Sequence, residues 1–378
     1  MSVENSDISK NGFKQISKYR GVLMGIATIW ILAFHVWIPV FNAPSNPVTT
    51  VLHHIEEYIR KTGFYGVDLF LLLSGIGLTF AIKKESVLKF YYRRIRRVFL
   101  PFFVAALVRW PISHWTFGNF ISNVTGYSFY ANHIHSFCWF VTAIITLYIA
   151  FPLYYKLFSM AKNKFLFTLL VIAVWLVLSI LLHGTMRFDL YGFTGRIPVF
   201  VIGILFGHIT QSEKEIVFKK RHYLFLLLIL ASGIILGYIY TIKEFEFILP
   251  GAKATIPGTL IAVGLSFLVA KLMEILDRRA PKPGKAIAKV IGFWGSISLE
   301  IYCVYECLLI PYFQKAVKAL AGIGLTSRFL INIVIFAAST LIAFLAGLLF
   351  KYFWKLIELP KSRKKIDNSK HEQNCSTK

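Results

Sequence analysis

Four acids and bases lie where such residues are expensive. His35, Asp68, Glu300 and Glu306 each fall inside a long apolar run, and an ionisable side chain in a bilayer core costs at least about 2.5–3.5 kcal/mol on insertion scales. Residues kept at that cost face a partner or a cavity. An imidazole can take up and give back a proton near neutral pH. A carboxylate beside it orients the ring and stabilises its protonated form. With a first helix running outward to near Phe41 and a second running back from near Gly63, His35 and Asp68 come to one depth, roughly 10 Å below the outer surface. The spacing predicts a His35–Asp68 pair; a buried histidine bonded to a backbone carbonyl is the plainer alternative. Glu300 and Glu306 share a later helix, with Glu306 nearer its outer end.

A second constellation is basic. Lys89-Phe90-Tyr91-Tyr92-Arg93-Arg94-Ile95-Arg96-Arg97 holds four arginines within five residues, more than membrane topology requires, and the guanidinium fork suits phosphate. At helical spacing Arg93, Arg96 and Arg97 share a face while Arg94 points elsewhere. The run predicts a pocket for a polyphosphorylated cofactor; a collar for lipid headgroups is the competing reading. Arg196, in Gly195-Arg196-Ile197-Pro198, opens another apolar helix and suits an anionic or sugar group, or snorkels to the interface. His133 and His135 stand in an outer loop. Cys138, Cys303, Cys307 and Cys375 offer neither metal-ligand spacing nor a disulfide framework, and no metal is expected. The chain has no Walker A loop, G-x-S-x-G elbow, H-E-x-x-H pair or Rossmann glycine fingerprint.

The elements that must hold these residues follow from composition. The chain has 378 residues, of which 56% are hydrophobic and 16% aromatic, and its mean hydropathy is +0.63. That excludes disorder and an ordinary soluble domain. A bilayer crossing needs roughly 20 mostly apolar residues, and about ten such stretches are present. They fall near 21–42, 63–82, 98–118, 136–157, 165–183, 194–210, 222–240, 256–276, 291–309 and 327–350. The expected fold is all-α: a polytopic transmembrane helical bundle of about ten helices. The net charge of +24 arises from 42 Lys and Arg against 18 Asp and Glu. Roughly 32 of the 42 fall on alternate connections, which places both termini in the cytoplasm. Basic residues that set topology form no nucleic-acid footprint, so the expected partner is the lipid bilayer and not a nucleic acid.

The order of motifs resembles a known family. After His35 come Gly66-Val67-Asp68-Leu69-Phe70-Leu71-Leu72-Leu73-Ser74-Gly75 and the arginine run with Pro101. Later come Trp139-Phe140-Val141-Thr142-Ala143, Gly195-Arg196-Ile197-Pro198-Val199-Phe200-Val201-Ile202-Gly203 and Ser298-Leu299-Glu300-Ile301-Tyr302. This pattern is similar to membrane acyltransferase family 3, the bacterial O-acetyltransferase-like integral membrane proteins, over roughly residues 18–350. The resemblance implies an enzyme of the cytoplasmic membrane. It would take an acyl group, usually acetyl, from cytoplasmic acyl-CoA (acetyl-CoA) and deliver it to a hydroxyl of an extracytoplasmic glycan or lipid-linked carbohydrate. By the same resemblance His35, with Asp68, is catalytic, and Arg93, Arg96 and Arg97 meet the CoA phosphates. Where the family often carries an arginine separated from the histidine by ten residues, this chain has Met24; Arg20, one turn earlier on nearly the same face, is the candidate for that role. Arg196 and Glu300 are the candidates for acceptor binding. The domain plan is a cytoplasmic segment 1–20, an acyltransferase transmembrane domain 21–350 and a basic cytoplasmic tail 351–378. A transporter or flippase, or a non-catalytic partner in surface polysaccharide assembly, are the alternatives.

Overall fold

The computed structural model describes residues 11–41, 45–131, 136–182, 188–212, 216–243 and 252–375. His133 and His135 lie outside them. Every regular element among the described residues is helical. In chain order these are α1 Gly12–Lys18, α2 Arg20–Val36, α3 Pro47–Thr62, a 3-10 turn Gly63–Tyr65 and α4 Gly66–Ile82. Then follow α5 Val87–Ile112, α6 Phe117–Val124, α7 Tyr127–Ala131, α8 Trp139–Met160, α9 Lys164–Leu181, α10 Phe188–Thr194 and α11 Ile197–Gln211. The last group is α12 Lys220–Thr241, α13 Ala252–Arg279, α14 Pro281–Ser296, α15 Ser298–Val304, a π-helical turn Tyr305–Leu309, α16 Ile310–Gly322 and α17 Arg328–Cys375.

Among the described residues seven helices, with Pro47–Ile82 (α3 through α4) taken as one, are long and apolar enough to cross a membrane, and up to nine spans result if two bent pairs each count once: α1 with α2 (67°), and α14 with the helices from Ser298 to Gly322 (52°). Helix α5 is outside that count because every 18-residue stretch of it holds at least three arginines. It nonetheless runs 26 residues without a break, about 39 Å at 1.5 Å per residue, over the stretch where the third of the expected crossings falls. The sequence placed that crossing at 98–118; the helix starts at Val87, capped by Ser86, so the arginine run and the apolar stretch belong to one helix.

Helix α4 is the centre of the bundle. It packs most extensively on α11 and also touches α2, α13, α5 and α8. The α4–α11 seam is built on glycine. A Cβ at Gly203 would stand 2.2 Å from the Leu72 carbonyl oxygen, and one at Gly75 2.4 Å from that of Phe200. Without a hydrophobic force between helices in lipid, such close backbone approach supplies the packing. A second seam joins α2 to α14, where Gly25 meets the Ile291 carbonyl and Gly295 that of Gly21.

The expected outer end of the first crossing is corrected. Helix α2 stops at Val36, and the next residues are extended because two distant side chains capture them. Glu56 accepts from Val40 N–H (2.8 Å), Phe41 N–H (2.8 Å) and the Trp37 indole (2.8 Å). Asn332, buried on α17, accepts from Ile38 N–H (2.9 Å) and donates to the Ile38 carbonyl (2.8 Å).

Candidate active site

The chemistry-bearing residues separate into three places along the bundle. At the basic end, α2 begins with Arg20 and α5 begins with the arginine run. Arg20 lies against α4, its Nη2 3.1 Å from where a Cβ at Gly77 would be; its Nε is buried and makes no hydrogen bond. Arg94 lies beside the Tyr148 hydroxyl of α8, and the charges of Arg20 and Arg97 reach the same phenol. Glu300 at the start of α15 sits within reach of the charges of Arg97 and Lys351, beside Gly347 of α17. Three guanidinium groups and one carboxylate leave this end with unmatched positive charge in partly desolvated surroundings, where attraction for an anion is far stronger than in water. The remaining arginines are engaged otherwise. Arg93, exposed, bridges to Glu85 at 2.9 Å, and the Arg96 guanidinium lies over the Trp354 ring at 4.1 Å.

This sorting changes the face drawn from helical spacing. The pair whose charges reach Tyr148 is Arg94, half-buried, and Arg97, exposed, at i,i+3, and not Arg93, Arg96 and Arg97 together. Arg94 and Tyr148 were missed. The i,i+3 relation was readable, but which side of α5 meets α2 and α8 was not.

In the middle, Asp68 is fully buried and pairs with Arg196, not with His35: Oδ2 stands 3.5 Å from Nε. The Arg196 guanidinium also donates to the carbonyls of Gly192 and, at 3.4 Å, Phe64, and lies over the Trp139 ring at 5.6 Å. Its neighbour Gly195 accepts from Thr255 of α13 at 2.6 Å, and Gly258 leaves the room that the Asp68 carboxylate occupies, a Cβ there falling 2.7 Å from Oδ2. Asp68 and Arg196 therefore join α4, α8, α10, α11 and α13.

The third place holds His35. Being next to last in α2, it lies near the helix end and not seven residues inside it. Gly63 packs on Trp30 and Phe34, and Gly66 on Ala27 and Ile31, so Asp68 falls roughly 10 Å further along α2 from His35 by helical rise. The imidazole is exposed and stacks on Tyr305, ring centroids 4.7 Å apart and planes at 26°. Phe34 meets it edge-on at 4.7 Å. Tyr305 opens the π-helical turn, in which three successive residues, Tyr305, Glu306 and Cys307, are all buried. An ordinary α-turn would splay such a triplet over most of its circumference; the wider turn, often found at functional sites, brings them inward together. The Glu306 carboxylate lies beside the Tyr305 phenol, and Tyr302 accepts from Phe140 N–H at 3.1 Å.

Among the described residues one trio offers metal-ligand atoms within 4.8 Å of one another: His53, His54 and Glu57. Two of its members are already engaged, Glu57 by Lys61 at 3.0 Å and His53 Nδ1 by the Phe41 carbonyl at 2.7 Å. It is an ion-paired helix surface.

The bundle thus has an arginine-lined end, a buried ionic joint and an accessible imidazole at the far side. No curated protein and no solved structure matches the chain. Residues 22–350, most of its length, match the family model described as an acyltransferase domain, in keeping with the motif order from His35 to Tyr302, and the chain accordingly belongs to acyltransferase family 3 and is a multi-pass membrane acyltransferase.

Proposed function

We propose that the protein moves an acyl group, acetyl in the first instance, from acyl-CoA to a hydroxyl of a glycan or lipid-linked carbohydrate on the opposite side of a bacterial cytoplasmic membrane. The observation that carries this reading is the convergence of Arg20, Arg94 and Arg97 on Tyr148, an excess of cation at one end of an apolar bundle. The phosphates of a CoA would dock there, facing the cytoplasm, with the thioester arm directed into the bundle. His35, exposed and held against Tyr305, is the base. It takes the acceptor hydroxyl proton as the oxygen attacks the thioester carbonyl. The C–S bond then breaks, and the imidazolium returns the proton to the departing thiolate, giving an ester and free CoA. Asp68 acts at a distance in this scheme, by fixing Arg196 and the helices around it, and not as the orienting partner of His35. Glu300 belongs with the donor end rather than with the acceptor.

The test supplies radiolabelled acetyl-CoA to proteoliposomes together with a membrane glycan fraction. Label is expected in the glycan and released by mild base, as an ester would be. General-base removal by His35→Ala should cost about 10²–10⁴-fold in rate. Full transfer by that variant would overturn the assignment of His35, and binding of CoA without any transfer to an acceptor would overturn the enzymatic reading.

A further inference from the structure

Helix α3 presents an apolar face that the other described residues leave exposed. Val48, Val51, Leu52, Ile55 and Ile59 are 68%, 57%, 36%, 51% and 43% exposed. At about 100° per residue they fall within an arc of roughly 100°. The other side carries Thr49, His53, Glu56, Glu57, Arg60 and Lys61, and is occupied by protein contacts, with Glu56 holding Trp37, Val40 and Phe41.

Two membrane-crossing helices give the level of this face. Tyr58 donates to the carbonyl of Ile234 on α12 at 3.3 Å. Ile234 lies seven residues before α12 ends at Thr241, about 10 Å short of that end. Beside it Ile234 and Ile235, 40% and 58% exposed, face outward from the bundle. On the other flank the segment held by Glu56 is bonded to Asn332 through Ile38. Asn332 is four residues inside the start of α17, where Phe329, Leu330 and Ile333 are likewise exposed. The lower half of α3 therefore stands beside the lipid-facing ends of two spans, and its apolar stripe continues their apolar surface.

We propose that the apolar face of α3 is a lipid-contact surface, embedded among the acyl chains of the leaflet on the His35 side, and that through Glu56 it anchors the segment following His35 to that leaflet. The occupant is lipid and not a second copy of the chain. Glu56 and Glu57 offset Arg60 and Lys61 on the polar side, so attachment depends on apolar burial and not on attraction to anionic headgroups. This inference rests on membrane insertion alone and stands or falls separately from the acyl-transfer reading.

The experiment uses the full chain carrying Cys375→Ser, since Cys138, Cys303 and Cys307 are buried. Single cysteines at Val51, Ile55 and His54 are labelled with an environment-sensitive fluorophore in vesicles of phosphatidylethanolamine and phosphatidylglycerol. Labels at Val51 and Ile55 should emit further to the blue, be quenched by a nitroxide placed high on the lipid acyl chain and be shielded from aqueous iodide. The label at His54 should do the reverse, and raising the salt should change neither pattern. Equal iodide quenching at all three positions would overturn the proposal, and so would efficient disulfide cross-linking of two chains through Ile55→Cys, which would make the face a protein interface.

Discussion

At the scale of single residues, the Asp68–Arg196 joint has the clearest energetic consequence. Asp68 is fully buried and Arg196 is 6% exposed, so removing one partner strands the other's charge. Asp68→Asn is expected to destabilise the folded protein by about 3–5 kcal/mol, while replacing both by apolar residues of similar volume should recover much of that loss. Thermal unfolding of the three variants in detergent checks the pattern; equal loss in single and double variants would contradict it. The arginines admit a finer test. A truncated donor, acetyl-pantetheine, lacks the nucleotide phosphates. Arg94→Ala with Arg97→Ala should raise KM for acetyl-CoA and leave KM for acetyl-pantetheine unchanged. Arg93→Ala should do little with either donor, because Arg93 is exposed and bridges to Glu85. The functional residue types were legible in the sequence because ionisable groups in apolar runs stand out. Their pairing was not. The depth argument that joined His35 to Asp68 assumed a helix reaching Phe41, and α2 stops at Val36 because Glu56 and Asn332, side chains from remote parts of the chain, bind the backbone beyond it.

At the scale of elements, the crossings themselves were largely readable, since each needs a long apolar stretch and little else. The apolar stretch from 98 marked where α5 becomes able to cross and not where the helix starts, because a hydropathy scan passes over the arginines, although nothing in Val87–Arg97 opposes a helix. The π-helical turn left no trace in residue spacing. The extended segment 37–41 shows what such details do. Each hydrogen bond to the Glu56 carboxylate is of the charge-assisted kind, worth about 1.5–3 kcal/mol, and together they fix the chain directly after His35. Glu56→Ala should lower kcat while leaving KM for acyl-CoA unchanged, because the arginine end is untouched. A rise in KM with constant kcat would place the role of Glu56 elsewhere. The glycine seam between α4 and α11 makes a different demand. Gly203→Val would press a branched side chain onto the Leu72 carbonyl. Overpacking of that kind costs about 1–3 kcal/mol, to be read as a lower unfolding temperature.

At the scale of the whole molecule, the order of the three places matters more than any one of them. The arginine cluster gathers where α2, α5 and α15 begin, and the imidazole stands near the other end of α2, 15 residues from Arg20 and so about 22 Å away along the helix by rise per residue. A compact donor could not serve both ends. A CoA can, because its phosphates and its thioester are separated by a long flexible arm. Under the proposed function the donor's charged part and the acceptor would lie on opposite faces of the membrane, and the reaction would acquire a direction without any movement of the bundle. Proteoliposomes sorted by orientation should therefore consume acetyl-CoA supplied to the Arg94 side only and release free CoA to that same side, while the ester accumulates in acceptor confined to the His35 side. Equal consumption from either side, in vesicles shown to be sealed and uniformly oriented, would mean that donor and acceptor meet at one surface, and the arginine cluster would then have to be read as part of the bundle's attachment to lipid headgroups.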